Sequence, residues 1–271
     1  MTPACDHPWF QMHPVSPENI VRHYELATSG EIERGMRWYR DANHVAVTIA
    51  DGDAHLGAGM LAIYSPQQGW IENILTAARV LQERKGIGGP GSGAFASALQ
   101  KRAADRLLAG ERYEDLLTGP KIRDFAHLIE HGGDKDPADP HVVVDRHAIS
   151  VAIGYPVTTE EYGAAPLKGA KRRDGSISRR HYDHVVDQYR SAAELTTASS
   201  GRLVAAHQVQ AVTWLVRQRL NQETEQQRGL NPLDKARNRA RANSEEAWQA
   251  FRELHLPELA VFPGTGYLSA A

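Results

Sequence analysis

The stretch that decides the fold is YEDLLTGPKIRDFAHLIEHGG, residues 113–133. It is typical of a helix, a tight turn at Gly119-Pro120, and a second helix. Gly119 permits the turn, and Pro120 suits the first position of the following helix. The stretch therefore predicts two helices joined by a tight turn over about residues 112–130.

The predicted turn has a chemical consequence. The first backbone N–H groups of a helix point outward, and with the helix dipole they bind a phosphate oxygen without reading sequence. Gly119, Pro120 and Lys121 would form this phosphate contact. On local sequence alone, an ordinary connection between two helices is the alternative interpretation.

The rest of the chain also favours helices. Convincing alternating strand patterns are absent, which predicts an all-α fold. Residues 1–16 contain three prolines and little periodicity, so we expect an irregular N-terminal arm. Residues 17–271 then form one helical domain, long enough for two lobes around a shared cleft.

Composition excludes several classes of protein. The chain is 41% hydrophobic and 24% charged, so it can bury an ordinary globular core, and its net charge of −2 gives no whole-chain basicity for nucleic acid. Cys5 is the only cysteine, which excludes an internal disulfide and a Cys-ligated iron–sulfur cluster. No apolar run approaches the roughly 20 residues of a membrane span, and the first residues, with neither a basic start nor an apolar stretch, do not predict a secretory signal. We therefore expect a cytoplasmic protein without membrane contact.

Residues 133–141, GDKDPADPH, contain three aspartates, a composition that raises the question of a calcium loop. Their spacing does not fit an EF-hand, and the prolines favour a plain surface turn. The sequence thus predicts no metal site.

The segment VVVDRHAISVAIG, residues 142–154, is a short apolar lead-in followed by a helix. Asp145 lies where an N-cap or first-turn residue would lie. A carboxylate in an apolar neighbourhood, near helix N–H donors, can be held ionised and aimed into a cleft. The alternative is that Asp145 only caps the helix.

Three segments together carry a family resemblance. In order along the chain they are residues 62–81 (AIYSPQQGWIENILTAARVL), residues 115–129 (DLLTGPKIRDFAHLI) and residues 142–154. They resemble the helix-hairpin-helix DNA glycosylases of the endonuclease III kind, in which the hairpin usually reads Leu-Pro-Gly-x-Gly and the third segment Val-Asp-Thr-His. Here Lys121 stands where the second glycine is expected. The chain is also similar to proteins common in actinobacteria and their phages, a resemblance that supplies no function.

The glycosylase resemblance implies a two-lobed all-α fold that removes a damaged or modified base from DNA. Asp145 would be the catalytic residue, and no metal or redox cofactor is implied. The partner would be duplex DNA with one base flipped out of the stack, and Gln67 would fill the vacated position. Gln68 and Trp70 would share that role or line the base pocket. Alternatively these are polar residues at a helix start, with Trp70 in the core.

The resemblance also bears on the nucleophile. Family members with lyase activity carry a lysine on the second hairpin helix. An ungapped match places Arg123 there, and Lys121 reaches the position only with a two-residue slip. Water is therefore the better nucleophile, which implies a monofunctional glycosylase. His147 would contact a phosphate or the pocket, or else be structural, and Trp214 is expected in the core.

A basic run near residue 170 supplies the remaining candidates for DNA contact. Six cationic residues fall within thirteen positions: Lys168, Lys171, Arg172, Arg173, Arg179 and Arg180. On a DNA-binding protein they would contact phosphates. The alternative is a solvated loop.

The resemblance therefore implies a hydrolase of N-glycosidic bonds, as in base excision, and leaves DNA repair, phage defence and DNA modification open as its biological setting. Two other functions remain open. One is a phage-type enzyme that modifies DNA bases on the same scaffold, and the other is a non-catalytic DNA-binding protein that keeps the hairpin.

Overall fold

The computed structural model describes residues 6–66, 68–89, 96–133, 139–168, 178–228, 246–251 and 253–254. No β-strand occurs among these residues, so the all-α expectation is confirmed. The helices are α1 (Pro8–Met12), α2 (Pro17–Glu25), α3 (Ser29–Ile49), α4 (Ala54–Tyr64), α5 (Trp70–Glu83), α6 (Ala98–Leu108), α7 (Tyr113–Leu116), α8 (Pro120–His131), α9 (Arg146–Ile153), α10 (Thr159–Ala164), α11 (Arg180–Ser200) and α12 (Ala206–Arg228). A search of the described helices finds none with the length and apolar character needed to cross a membrane.

The chain divides into two compact units. Unit 1 comprises Met1–Tyr39, Thr118–Leu128 and Gly133–Arg217. Unit 2 comprises Arg40–Leu117, Ile129–Gly132 and Gln218–Ala271. Boundaries fall inside α3, α8 and α12, and also just before and just after α8, so each unit is assembled from separate stretches of chain.

The core of unit 1 is centred on α9. All of its residues from His147 to Ile153 are buried, whereas an ordinary surface helix buries only one stripe. Helices α2 and α11 pack against it. Ile20, Ile149 and Tyr189 supply the centre of this packing, each with no exposed surface. Helix α9 is therefore fixed on every side, which gives its N-terminus a defined position in the unit.

The N-terminal arm differs from expectation. Within residues 6–16, Pro8–Met12 form a helical turn, and the side chains of Trp9 and Phe10 are buried in the core of unit 1. The His7 ring caps the turn by accepting a hydrogen bond from the Trp9 N–H at 3.2 Å. Burial of two large aromatic side chains offsets the entropy of ordering the segment, an effect that periodicity cannot reveal in so short a stretch.

Unit 2 is built around α4, whose residues from Gly57 to Tyr64 are all buried. Helices α5, α6 and α7 pack against it. Gly57 allows a close approach to α3, because a Cβ atom there would lie 2.1 Å from the carbonyl oxygen of Ala46. Asp53 begins α4 by accepting a hydrogen bond from the Leu56 N–H at 2.9 Å. Helix α4 is thus the central helix of this unit.

Candidate functional site

The predicted hairpin segment does contain two helices joined by a short turn. Helix α7 ends at Leu116, and α8 begins at Pro120, which takes the first helical position as expected. Gly119 differs from expectation, because its backbone lies outside the left-handed region and an added Cβ would meet Ile122 at an ordinary 3.6 Å. The turn therefore does not depend on a glycine at this position.

Asp145 is a buried acidic residue at the start of α9 in unit 1. It is the N-cap of α9, as expected, and its Oδ1 accepts a hydrogen bond from the Ala148 N–H at 2.7 Å. Its Oδ2 accepts a second hydrogen bond, from the indole N–H of Trp214 at 3.2 Å. The side chain is only 4% exposed. A buried carboxylate with a donor on each oxygen is held in one orientation.

Two tyrosines of α11 fix the backbone before and after Asp145. The hydroxyl of Tyr182 donates to the Val142 carbonyl and accepts from the Val144 N–H, each at 2.9 Å. The hydroxyl of Tyr189 donates to the Ala148 carbonyl at 2.9 Å. The backbone on both sides of Asp145 is therefore tied to one long helix, and the three valines that precede it are buried as expected.

Lys121, on the first turn of α8, lies within electrostatic reach of Asp145. Burial lowers the pKa of Lys121, and the negative charge of Asp145 opposes part of that shift. Arg123, which the ungapped match favoured, is exposed to solvent. The cation near Asp145 is thus Lys121, which the family comparison places at the lysine position of lyase-active members only with a two-residue slip.

His147 lies on the first turn of α9, two residues after Asp145. It is 5% exposed, and its ring meets the edge of the Trp214 ring with centroids 6.3 Å apart. Burial lowers the pKa of His147, and the charges of Arg146, Arg217 and Lys121 lower it further, while Asp145 opposes them. The neutral imidazole is therefore favoured here.

Two arginines beside this group were not predicted. Arg146 and Arg217 are both half-buried, and the Nε atom of each has no hydrogen-bond partner among the described residues. Burial and the charge of Arg146 both lower the pKa of Arg217. Arg146 is adjacent to Asp145 in sequence, but Arg217 lies near the end of the α12 stretch of unit 1, so only the fold brings it here. We call Asp145, His147, Lys121, Arg146 and Arg217 the acid–cation cluster.

The residues expected to enter the duplex belong to unit 2. Trp70 is the first residue of α5 and is 5% exposed, and Gln68 is 6% exposed. Both side chains are thus buried, as in the alternative interpretation of Trp70 as core. Gln67 lies outside the described residues.

The structure describes only part of the basic run. Lys171, Arg172 and Arg173 lie outside the described residues. Arg179 forms a two-pronged ion pair with Asp124, at 2.7 and 2.8 Å, and Asp124 is 1% exposed. Arg180 pairs with Asp6 at 2.9 Å on the surface. The guanidinium of Arg179 therefore forms an ion pair within unit 1. A count of charges along the sequence cannot show this pairing.

Comparison with known proteins assigns the chain to a family without assigning it an activity. Residues 13–222 match the family of unknown function DUF7178, and the chain belongs to that family. No curated protein and no solved structure matches the chain.

Proposed function

We propose that this protein is a hydrolase of the N-glycosidic bond that releases a damaged or modified base from DNA, with Asp145 as its catalytic residue. The observation that carries the proposal is the position of Asp145 at the buried N-terminus of α9, within reach of Lys121 from the first turn of α8. The three-segment resemblance had paired the same two regions of the chain.

The chemistry follows from the carboxylate. Breaking an N-glycosidic bond develops positive charge on the sugar, and a nearby carboxylate stabilises that charge and orients the attacking water. The hydrogen bonds from the Ala148 N–H and the Trp214 indole fix both oxygens of Asp145. A carboxylate already fixed in place costs no reorganisation when the charge develops.

The cations of the acid–cation cluster support the proposal that the substrate is DNA. Lys121, Arg146 and Arg217 outnumber the single acid at this place in unit 1, and the Nε atoms of both arginines lack a partner among the described residues. Guanidinium groups bind phosphate oxygens in planar, two-pronged geometry. In this proposal a backbone phosphate next to the target nucleotide binds the partly exposed guanidinium groups of Arg146 and Arg217 and brings the sugar toward Asp145.

A second candidate function has its own observation. Both oxygens of Asp145 are engaged by donors inside the protein, as in a purely structural helix cap. In that case the arginines bind DNA phosphates and no bond is broken. The protein is then a DNA-binding module without catalysis.

The experiment is a screen of duplexes that carry different modified bases, scored for abasic sites by alkaline strand cleavage. Asp145→Asn should lower base release by about 100-fold or more, because the negative charge is lost while the shape remains. Duplex binding, measured by fluorescence anisotropy, should change little. Asp53→Asn is the matched control, since Asp53 also caps a helix but lies in unit 2.

Each result decides between the candidates. An unchanged rate in Asp145→Asn removes this residue from the mechanism. Duplex binding without abasic sites from any substrate favours the binding module. Absence of duplex binding by the wild-type protein overturns both. Strand cleavage without alkali, lost in Lys121→Gln, assigns a covalent role to the lysine in place of water.

A further inference from the structure

A second group of polar residues in unit 1 takes no part in the proposed chemistry. His127 lies on α8, and Asp139 and His141 lie in the segment that leads to Val142. The Asp139 side chain is 8% exposed, whereas the two histidine side chains are 30% and 32% exposed. The sequence had predicted a plain surface turn here, yet the carboxylate is buried and contacts both imidazole rings.

The three side chains already converge on one point. Asp139 Oδ2 lies 2.9 Å from His127 Nε2, and Asp139 Oδ1 lies 2.7 Å from His141 Nδ1. The imidazole centroids are 3.9 Å apart. One nitrogen of each histidine and one carboxylate oxygen all lie within 4.8 Å of one another. Burial would raise the pKa of Asp139, but the hydrogen bonds from the two histidines more than offset it, so the pKa lies below its usual range.

We propose that His127, Asp139 and His141 form a binding site for a divalent transition metal, with Zn²⁺ as the fitting ion. Zinc bonds to imidazole nitrogen and carboxylate oxygen are about 2.0–2.2 Å long, so tetrahedral ligand atoms lie about 3.3 Å apart. The present distance of 2.9 Å between Asp139 Oδ2 and His127 Nε2 requires these two ligand atoms to separate by only about 0.4 Å, whereas Asp139 Oδ1, which lies 2.7 Å from His141 Nδ1, is not a ligand. The proposal stands apart from the proposed function, because none of these residues belongs to the acid–cation cluster.

The donor set determines the class of ion. Two imidazole nitrogens suit zinc and its first-row neighbours, whereas calcium and magnesium require oxygen ligands. Each histidine binds metal through a ring nitrogen that carries no proton. Binding therefore moves the ring proton of His127 to Nδ1 and that of His141 to Nε2, or releases one proton from a ring that is charged. Water from the exposed side completes the coordination.

The surrounding backbone already supports this geometry. The His141 N–H donates to Asp139 Oδ1 at 2.9 Å, a contact that can orient the carboxylate while its other oxygen binds the metal. Arg190 of α11 donates to the Pro140 carbonyl at 2.9 Å and so holds the turn between two of the ligands. A bound ion would link α8 to the segment that leads to Asp145.

The test uses the full chain after dialysis against a chelator, with Co²⁺ as the spectroscopic probe and Zn²⁺ for calorimetry. We expect visible Co²⁺ absorption of tetrahedral or five-coordinate character that Zn²⁺ displaces. We also expect Zn²⁺ to raise the thermal unfolding midpoint by about 5 °C when its free concentration is ~100 times the dissociation constant. His127→Gln and His141→Gln should each abolish the Co²⁺ band, since glutamine retains a donor to Asp139 but is a poor zinc ligand.

Two control variants separate this site from others. His131→Gln changes an exposed histidine one turn further along α8 and should leave the band intact. His55→Gln removes a histidine from a second close group among the described residues, formed with Glu114 and Glu130 in unit 2, and should also leave the band intact. Circular dichroism verifies that each variant folds. Absence of Co²⁺ binding by the wild-type chain, or a band lost in His55→Gln, overturns the proposal whether or not the other variants fold.

Discussion

The indole N–H of Trp214 donates a hydrogen bond to Asp145 Oδ2 across 3.2 Å, and so joins α12 to the N-terminus of α9 inside unit 1. The other carboxylate oxygen is held by the backbone of α9 itself. Asp145 is thus fixed by one local contact, which the helix provides, and by one distant contact, which only the fold provides.

The contribution of this distant contact can be measured. Trp214→Phe removes the donor and leaves a buried charged oxygen with one partner fewer, so we expect a lower free energy of unfolding in urea. The control is Trp9→Phe, which makes the same volume change in the same unit. The loss in Trp214→Phe should exceed that in the control by about 1–3 kcal/mol, the range for hydrogen bonds to charged groups. Equal losses would show that the hydrogen bond adds no stability.

The two arginines at the start of α11 should behave differently when replaced. Arg179→Gln leaves the buried carboxylate of Asp124 without its ion-pair partner, and we expect a loss of about 3 kcal/mol in the free energy of unfolding. Arg180→Gln removes an exposed pair with Asp6 and should cost about 1 kcal/mol or less. Urea denaturation of both variants provides the comparison. Similar losses in the two would contradict the structural role of Arg179.

This difference also affects the test of DNA binding by the basic run. Neutralising Arg172, Arg173 and Arg180 together, with Arg179 left in place, should weaken duplex binding and reduce its dependence on salt. If Arg179 were also replaced, weaker duplex binding could come either from lost DNA contacts or from a destabilised fold. A salt dependence equal to that of the wild type would show that the run does not touch DNA.

Stability should fall as the pH drops below the ordinary histidine range. Burial lowers the pKa of His184, which lies against Phe10 with ring centroids 5.2 Å apart, while Asp187 opposes the shift and His181 adds to it. A folded-state pKa below the unfolded value of 6.5 means that protons bind the unfolded chain more tightly. The contribution is therefore complete above that value and is lost progressively as the pH falls through it.

Urea denaturation at pH 7.5 and 5.5 tests this expectation in a range that largely avoids the titration of carboxylates. The wild-type chain should be less stable at the lower pH, and His184→Gln should reduce the difference. His44→Gln, at an exposed position, is the control. A pH dependence that is identical in His184→Gln and the wild type would exclude His184 as a source.

Prediction from sequence succeeded where the signal is local. The Gly-Pro turn between α7 and α8 and the N-cap at Asp145 depend on a few adjacent residues, and both were found from them. The short helix at Pro8–Met12 was missed, because burial of Trp9 and Phe10 rather than periodicity orders it. The sites of Arg217 and His127 were missed because their partners are distant in sequence.

The sequence by itself determined that this chain is helical, where its central helices run, and which acid begins α9, since propensity, capping and apolar pattern act over one or two helical turns. Only the tertiary structure decided that Lys121 lies within electrostatic reach of that acid, that Arg179 is bound to Asp124, and that Asp139 contacts two histidines. Such encounters depend on how whole helices pack against one another, and packing depends on the combined shape of many side chains that no short stretch of sequence contains.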